Sequence, residues 1–347
     1  MKENSQPNVI AITMGCPVGI GPEIILKSYK EIRTTCSAVP VVVGDSAVLQ
    51  ECASQLGMQV TIVPWSSNVH CDKEVLYVCH VAEAEGGIRL DPSGLQWGRP
   101  DQLTGKAMAS YINHAVKRIG QGEFTGLVTC PITKSALNAA GFNYPGHTEM
   151  LAELCSSTDY AMMMAGNSLR VTLVTIHQAL CDVPRCLSTE SVCRLIDLTA
   201  RSLQGDFGIA EPTIAVAGLN PHAGEDGLFG QEEKTIIEPA VKKSAAVWNV
   251  QGPFPPDTVF TQAVGGKFDA VVCMYHDQGL IPFKLLHFSD GVNVTIGLPI
   301  VRTSVDHGTA YDIAGKGIAS PESLKAAYQM ASDIVRNRCK ADMVERN

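Results

Sequence analysis

Short β-branched runs return along this chain with helix-length amphipathic segments between them, and that alternation restricts the fold more than any other feature. NVIAIT is followed by a helix expected from about Pro22, VPVVVG by one from Ser46 to Leu56, then come VTIV and LYVC. In the long segment from Gln102 to Ile119, Leu103, Ala107, Tyr111, Ala115 and Ile119 recur at a spacing of four, which draws an apolar stripe. A second series of runs reads TGLVTC, YAMMMAG, LRVTLVT, TIAVAGLN and DAVVCMY. Helical segments separate them near Glu149 to Cys155, Thr189 to Leu203, Gln231 to Val247 and Thr258 to Val264. Strands that alternate with helices build parallel or mixed sheets covered by helices. At 347 residues, two such α/β layers fit the chain. No internal repeat or obvious linker marks where one ends.

Charge narrows the partners. A formal net charge of -8 and the lack of any Lys/Arg run exclude a general nucleic-acid surface. No stretch approaches the roughly 20 apolar residues of a membrane helix, and MKENSQPNVIAITMG carries no extended apolar core, so a cytoplasmic, membrane-free protein is expected. The twelve cysteines are scattered from Cys16 to Cys339 without a CxxC pair. Most read as small buried hydrophobes in a reducing compartment.

Three histidines each follow an apolar run by a few residues: His177 after LRVTLVT, His222 after TIAVAGLN, and His276 after DAVVCMY. If the runs are neighbouring strands, the imidazoles gather at one sheet edge, where open α/β folds place their sites. Three neutral imidazoles with an open position make a catalytic metal site. For His222, in the glycine-rich NPHAGEDG, the alternative is a surface-loop histidine. The first run ends in TMGCPVGIGPEI, where Gly15, Gly19 and Gly21 suit either a backbone cradle for an anion or a tight strand-to-helix turn. No GxGxxG fingerprint follows a strand. In YPGHTEML, His147 and Thr148 open a helix. They either surround an anionic substrate or leave Thr148 as an N-cap. Lys284, Asn293 and Arg302 follow at nine-residue intervals and together suit a phosphate. His307, Gly308 and Asp312 lie in TSVDHGTAYDIAGKG, a span fit for a nucleotide-embracing loop or for a turn into the last helix.

As a set, TMGxPxGIGPE, PGHTEML, NPHAGE, YHDQGLIPFK and TSVDHGTAYDIAGKG resemble the 4-hydroxythreonine-4-phosphate dehydrogenase (PdxA) family of vitamin B6 synthesis and its paralogues. The likeness runs from about Ile12 to the terminal helix. HGTAYDIAGKG also resembles the nucleotide loop of isopropylmalate and isocitrate dehydrogenases. The resemblance implies a two-domain α/β/α fold of that kind, with a first domain of residues 1–125 plus about 306–347 and a second of about 126–305 carrying the metal ligands and dimer interface.

The same resemblance implies that His177, His222 and His276 bind a divalent metal, zinc first and otherwise magnesium or cobalt. It gives His147, Thr148, Lys284, Asn293 and Arg302 to a phosphorylated substrate. The cofactor, NAD with NADP as the alternative, falls to the region around His307, Gly308 and Asp312 and to the glycine turn. A homodimer with interfacial sites and shared ligands is implied as well. Where relatives usually have Asp, this chain has Cys16, which is either a soft thiol near the cofactor loop or simply buried and inert.

The implied reaction is oxidation, with decarboxylation, of a phosphorylated 3-hydroxy acid: 4-phosphooxy-L-threonine going to 3-amino-2-oxopropyl phosphate in pyridoxal phosphate biosynthesis. Asp257 and Asp277 are the candidates for general base, although Asp257 also suits an N-cap. A D-threonate or D-erythronate 4-phosphate dehydrogenase retains the same residues. An aromatic cis-dihydrodiol dicarboxylate dehydrogenase has less use for the phosphate set. A non-catalytic metal- or nucleotide-binding homologue and a structural α/β protein with incidental histidines complete the alternatives.

Overall fold

The computed structural model describes residues 8–66, 72–81 and 87–345, so the first seven residues of the N-terminal stretch, Cys71 and the last two residues lie outside it. The protein is mixed α/β and divides into two compact units. One runs up to Thr158 and resumes over Leu298–Val335, and the other comprises Asp159–Gly297 and the chain from Arg336.

In the first unit the strands are β1 (Val9–Thr13), β2 (Val39–Val43), β3 (Thr61–Pro64), β4 (Val75–Cys79) and β5 (Gly126–Thr129), with β12 (Arg302–Val305) returning late in the sequence. They lie in the order β3-β4-β2-β1-β5-β12, all parallel. Every residue of β1, β2, β5 and β12 is buried, as expected where helices cover both faces and the run is continuously apolar. The expected domain borders near 125 and 306 therefore shift. Because β5 pairs with β1 on one side and β12 on the other, the chain stays in the first unit to Thr158 and comes back to it at Leu298.

The second unit contains β6 (Ala161–Ala165), β7 (Arg170–Leu173), β8 (Thr213–Ala217), β9 (Asn249–Phe254), β10 (Ala270–Cys273) and β11 (Val292–Ile296). Their order is β11-β6-β7-β10-β8-β9. β6 is antiparallel to both its neighbours, while β7, β10, β8 and β9 run parallel. Val171, Leu173, Ala215, Val271 and Phe283 form part of its core. The β6–β7 hairpin is latched by buried His287, whose Nε2 lies 2.8 Å from Ser168 Oγ and whose Nδ1 lies 3.2 Å from Asp290 Oδ2. The latch demands Gly166: a Cβ there would meet the imidazole at 2.4 Å.

Local signals explain the helix starts. Asp45 accepts from the amides of Ala47 and Val48 at the head of Ser46–Gln55. Asp101 with Thr104, and Ser188 with Ser191, form capping boxes for Gln102–Gly120 and Thr189–Gly205. Along Gln102–Gly120 the buried face is Ala107, Met108, Tyr111, Ile112 and Ala115, while Leu103 at one end of the expected stripe is 44% exposed. The segment expected as one helix from Gln231 instead starts with a π-helical turn, Glu233–Ile237, ahead of Glu238–Ser244. Pro239, which lacks an N–H, stands at that junction.

Among the described residues no helix is long and apolar enough to cross a membrane. All described cysteines are free thiols, but the expectation that most are buried is not met. Cys16, Cys52, Cys79, Cys130 and Cys273 are buried, whereas Cys181, Cys186 and Cys339 are exposed.

Gly105 lets Gln102–Gly120 approach Lys134–Ala139, since a Cβ at that position would lie 2.1 Å from the Ala136 carbonyl oxygen. Gly105→Ala is expected to lower unfolding stability in urea by about 1–3 kcal/mol. Gly120→Ala, whose Cβ meets nothing within 4 Å, should leave stability level or slightly higher.

Candidate active site

The parallel strands β7, β10 and β8 are adjacent, so their C-terminal ends open on one edge of the second unit. His177 follows β7, His276 begins the helix His276–Leu286 after β10, and His222 follows β8. The rings of His177 and His276 lie 6.1 Å apart between centroids. His222 does not join them: among the described residues no group of three or more His, Cys, Asp or Glu side chains stands close enough to hold a metal.

The backbone around His222 is left-handed. His222, Ala223, Gly224, Glu225 and Asp226 all have positive φ, of 52°, 55°, 80°, 41° and 56°. Four of these are not glycine, and each such residue costs roughly 1–2 kcal/mol in a left-handed turn. Strain of that size is held only where surrounding contacts over-determine it. The turn brings Glu225 Oε1 to 2.6 Å from His222 Nδ1 and sets the ring edge-on to Phe229. The hydrogen bond to Glu225, that carboxylate's charge and the charge of Asp257 raise the His222 pKa above the ordinary imidazole value.

His276 is oriented in a similar way, with Nδ1 2.7 Å from Asp277 Oδ1. A carboxylate on Nδ1 fixes the tautomer and leaves Nε2 as the donor to a metal. Asp277 is thus engaged with a histidine. Asp257 is not an N-cap, because Pro255 holds that place and Asp257 lies inside the first turn of Pro256–Val264, exposed. In the same unit, Lys284 lies in the last turn of His276–Leu286. Asn293 on β11 donates from Nδ2 to Met162 Sδ at 3.4 Å, while its Oδ1 is buried with no hydrogen-bond partner among the described residues.

The first unit holds the remaining candidates. His147 opens the helix His147–Leu154 and Gly146 is its N-cap, so Thr148 sits within the first turn and caps nothing. Burial, then the charge of Arg302, drives the His147 pKa well below the imidazole value, and its buried Nε2 has no hydrogen-bond partner among the described residues. Arg302 begins β12, is 3% exposed and donates from Nη2 to Thr129 Oγ1 at 2.9 Å. Burial pushes its pKa down to about 10, against the pull of Glu149, so the guanidinium stays charged at neutral pH. A neutral imidazole beside a buried cation suits an anion. The set expected around phosphate is divided, with His147, Thr148 and Arg302 in this unit and Lys284 and Asn293 in the other.

Three amides of the glycine turn are engaged by backbone carbonyls. Cys16 N donates to Pro131 O, Gly19 N to Cys16 O and Ile20 N to Thr309 O. Its glycines serve close approach: a Cβ on Gly15 would lie 2.4 Å from Pro131 O, and one on Gly21 2.1 Å from Met14 O. The turn nevertheless packs against the His307 segment, since Tyr311 Oη reaches Cys16 Sγ at 3.3 Å. Cys16 is fully buried, and burial raises its thiol pKa despite that hydrogen bond, which makes it inert. Among the described residues His307 Nε2 is buried without a hydrogen-bond partner and Gly308 has open space around it, while Asp312 is exposed.

Glu23 was legible only as a helix opener, yet it clamps the segment beyond. Its carboxylate accepts from Ala319 N at 2.7 Å and Gly317 N at 3.2 Å, and Lys27 bridges it to the carbonyls of both residues. Glu225 also went unread, although its place three residues past His222 in NPHAGE was a signal.

Over residues 36–331 the chain matches the family model described as pyridoxal phosphate biosynthetic protein PdxA. The chain belongs to the PdxA family. It is 50% identical over 332 residues to the 4-hydroxythreonine-4-phosphate dehydrogenase of Desulforapulum autotrophicum, covering 93% of this chain and 94% of that one. A protein of Oceanobacillus iheyensis, provisionally named a D-threonate 4-phosphate dehydrogenase, is 41% identical over 95% of this chain and 98% of its own. The crystal structure of the 4-hydroxythreonine-4-phosphate dehydrogenase from Klebsiella pneumoniae superposes with a TM-score of 0.86 at 41% identity, covering 96% of this chain and 99% of that one.

In this PdxA-family chain His147, half-buried with a buried Nε2, should resist protonation. Its pKa is depressed in the folded state against about 6.5 unfolded. As pH falls through about 6.5, the unfolded chain takes up a proton that the folded chain refuses, and stability declines until the folded pKa is reached. Denaturant titrations at neutral pH and at roughly pH 5.5 should show a smaller loss for His147→Gln than for the parent. An equal loss would mean that this imidazole titrates normally.

Proposed function

We propose that this chain is a divalent-metal- and NAD-dependent dehydrogenase. It oxidises 4-phosphooxy-L-threonine at the C3 hydroxyl and releases CO2 and 3-amino-2-oxopropyl phosphate. The observation that carries the proposal is the convergence of β7, β10 and β8 on histidine-bearing segments, in a chain similar over nearly its full length to enzymes named for that substrate. The donor set fits a borderline cation such as zinc, because the imidazoles of His222 and His276 are each held at Nδ1 by a carboxylate and present Nε2. When bound, the cation supplies Lewis acidity to the hydroxyl and to the enolate left by decarboxylation, and NAD accepts the hydride.

The chain's own residues supply the rest. His147, as a neutral imidazole, and Arg302, as a buried cation, hold the phosphate, with Thr148 as a further contact. Asp257 takes the hydroxyl proton: it is exposed and near enough to influence His222, whereas Asp277 is occupied with His276. The glycine turn and the segment from His307 to Asp312 pack together and form the cofactor side.

The working unit is a homodimer in which ligands are shared between copies. Supporting this, Ile281, Leu285 and Phe288 are 68%, 84% and 83% exposed along and just after His276–Leu286, an apolar face that begins at a proposed metal ligand. D-threonate 4-phosphate is the second reading, favoured by the relative from Oceanobacillus iheyensis.

With NAD+ and a divalent cation present, the protein should form NADH with 4-phosphooxy-L-threonine and much less with D-threonate or D-erythronate 4-phosphate. Faster turnover of either sugar acid reverses the order of the two readings, and silence with all three sinks both. Leu285→Glu should move the protein from dimer to monomer in light scattering and abolish turnover, while circular dichroism stays unchanged.

A further inference from the structure

We infer that Glu233 is a positioning residue that fixes the left-handed turn bearing His222 before any cation arrives. The inference rests on the reading of His222 as a metal ligand. Glu233 is 2% exposed and sits at the head of the π-helical turn Glu233–Ile237. Among the described residues its carboxylate forms no ion pair. It is instead wrapped by the chain leading into the His222 turn: Oε1 accepts from Leu219 N at 2.8 Å and Asn220 N at 2.7 Å, and Oε2 accepts from Asn220 Nδ2 at 2.9 Å.

The fit is close on the inner side. A Cβ on Gly224, at the middle of the turn, would meet Glu233 Oε2 at 2.7 Å, and one on Gly218 would lie 3.2 Å from Oε1. Chain entry and turn centre therefore close around one buried carboxylate, which depends on those donors for its charge to be tolerated. The π-helical turn contributes by offsetting the helix where Glu233 departs from it. Single π turns inside helices recur at functional sites. Left-handed φ at His222, Ala223, Glu225 and Asp226 is unfavourable for these residue types and needs such an anchor. His222 is thus held indirectly, through Leu219, Asn220 and Gly224, by a residue that never reaches the cation.

The test is a zinc-binding cycle on the full-length protein, with affinity measured by competition against a chromogenic chelator and fold followed by circular dichroism and melting. Glu233→Gln preserves volume and one acceptor, and should raise the zinc Kd about tenfold or more, the range seen when outer-shell partners of ligands are lost. Hydrogen exchange at the Leu219 and Asn220 amides should accelerate in the metal-free protein. Asn220→Ala removes the Nδ2 bonds to Glu233 Oε2 and Glu232 Oε2 but keeps both amide bonds to Glu233 Oε1, and should give a smaller increase in Kd, which keeps the test open should Glu233→Gln not fold. His222→Ala should weaken zinc binding, and adding Glu233→Gln to it should weaken it no further. An unchanged Kd in the folded Glu233→Gln and Asn220→Ala proteins, with His222→Ala still weakened, overturns this inference alone. An unchanged Kd in His222→Ala overturns the metal reading on which it stands.

Discussion

Parallel pairing governs where chemistry appears in this molecule. In β7, β10 and β8 the chain leaves each strand in the same direction, so the histidines that follow emerge on one edge. The first unit obeys the same constraint. β1, β5 and β12 run parallel, and their ends deliver the glycine turn, Pro131 and the His307 segment to neighbouring positions. An antiparallel arrangement would send alternate connections to opposite edges, and the same residues would be scattered.

Buried carboxylates then shape what the strands deliver. Glu23 and Glu233 are almost fully shielded from water, and each accepts backbone amides from a segment that carries candidate functional residues. Such an anion is costly in an apolar interior unless every lone pair is served, so it enforces the conformation of the loop that serves it. Glu225 and Asp277 work differently. They are solvent-accessible and orient single imidazoles, a local task needing no burial.

The sheet strands were largely readable in advance because burial on both faces demands continuous β-branched runs, which NVIAIT and VPVVVG display. β9 escaped notice because NVQGPF mixes Gly and Pro into a partly exposed strand. The positions of the histidines relative to the strands were also legible. The handedness of residues 222–226 was not, since only Gly224 among them signals positive φ and the others take it under tertiary constraint. The glycines of the first turn allow close packing against Pro131 and Met14, a need their spacing signals no more clearly than an anion cradle. Thr148 and Asp257 were each one or two places inside the helix they had seemed to cap, a distinction below the resolution of spacing.

The late return of Leu298–Val335 to the first unit bears on how the chain is made. On a ribosome, residues 159–297 emerge with all the strands of the second unit before β12 has been synthesised. Until then β5 presents an open parallel edge, the kind of surface that recruits other chains. The nascent protein therefore spends nearly half of its translation with the first unit one strand short. That interval, set by the order of the strands in the sequence, leaves the β5 edge open to other chains.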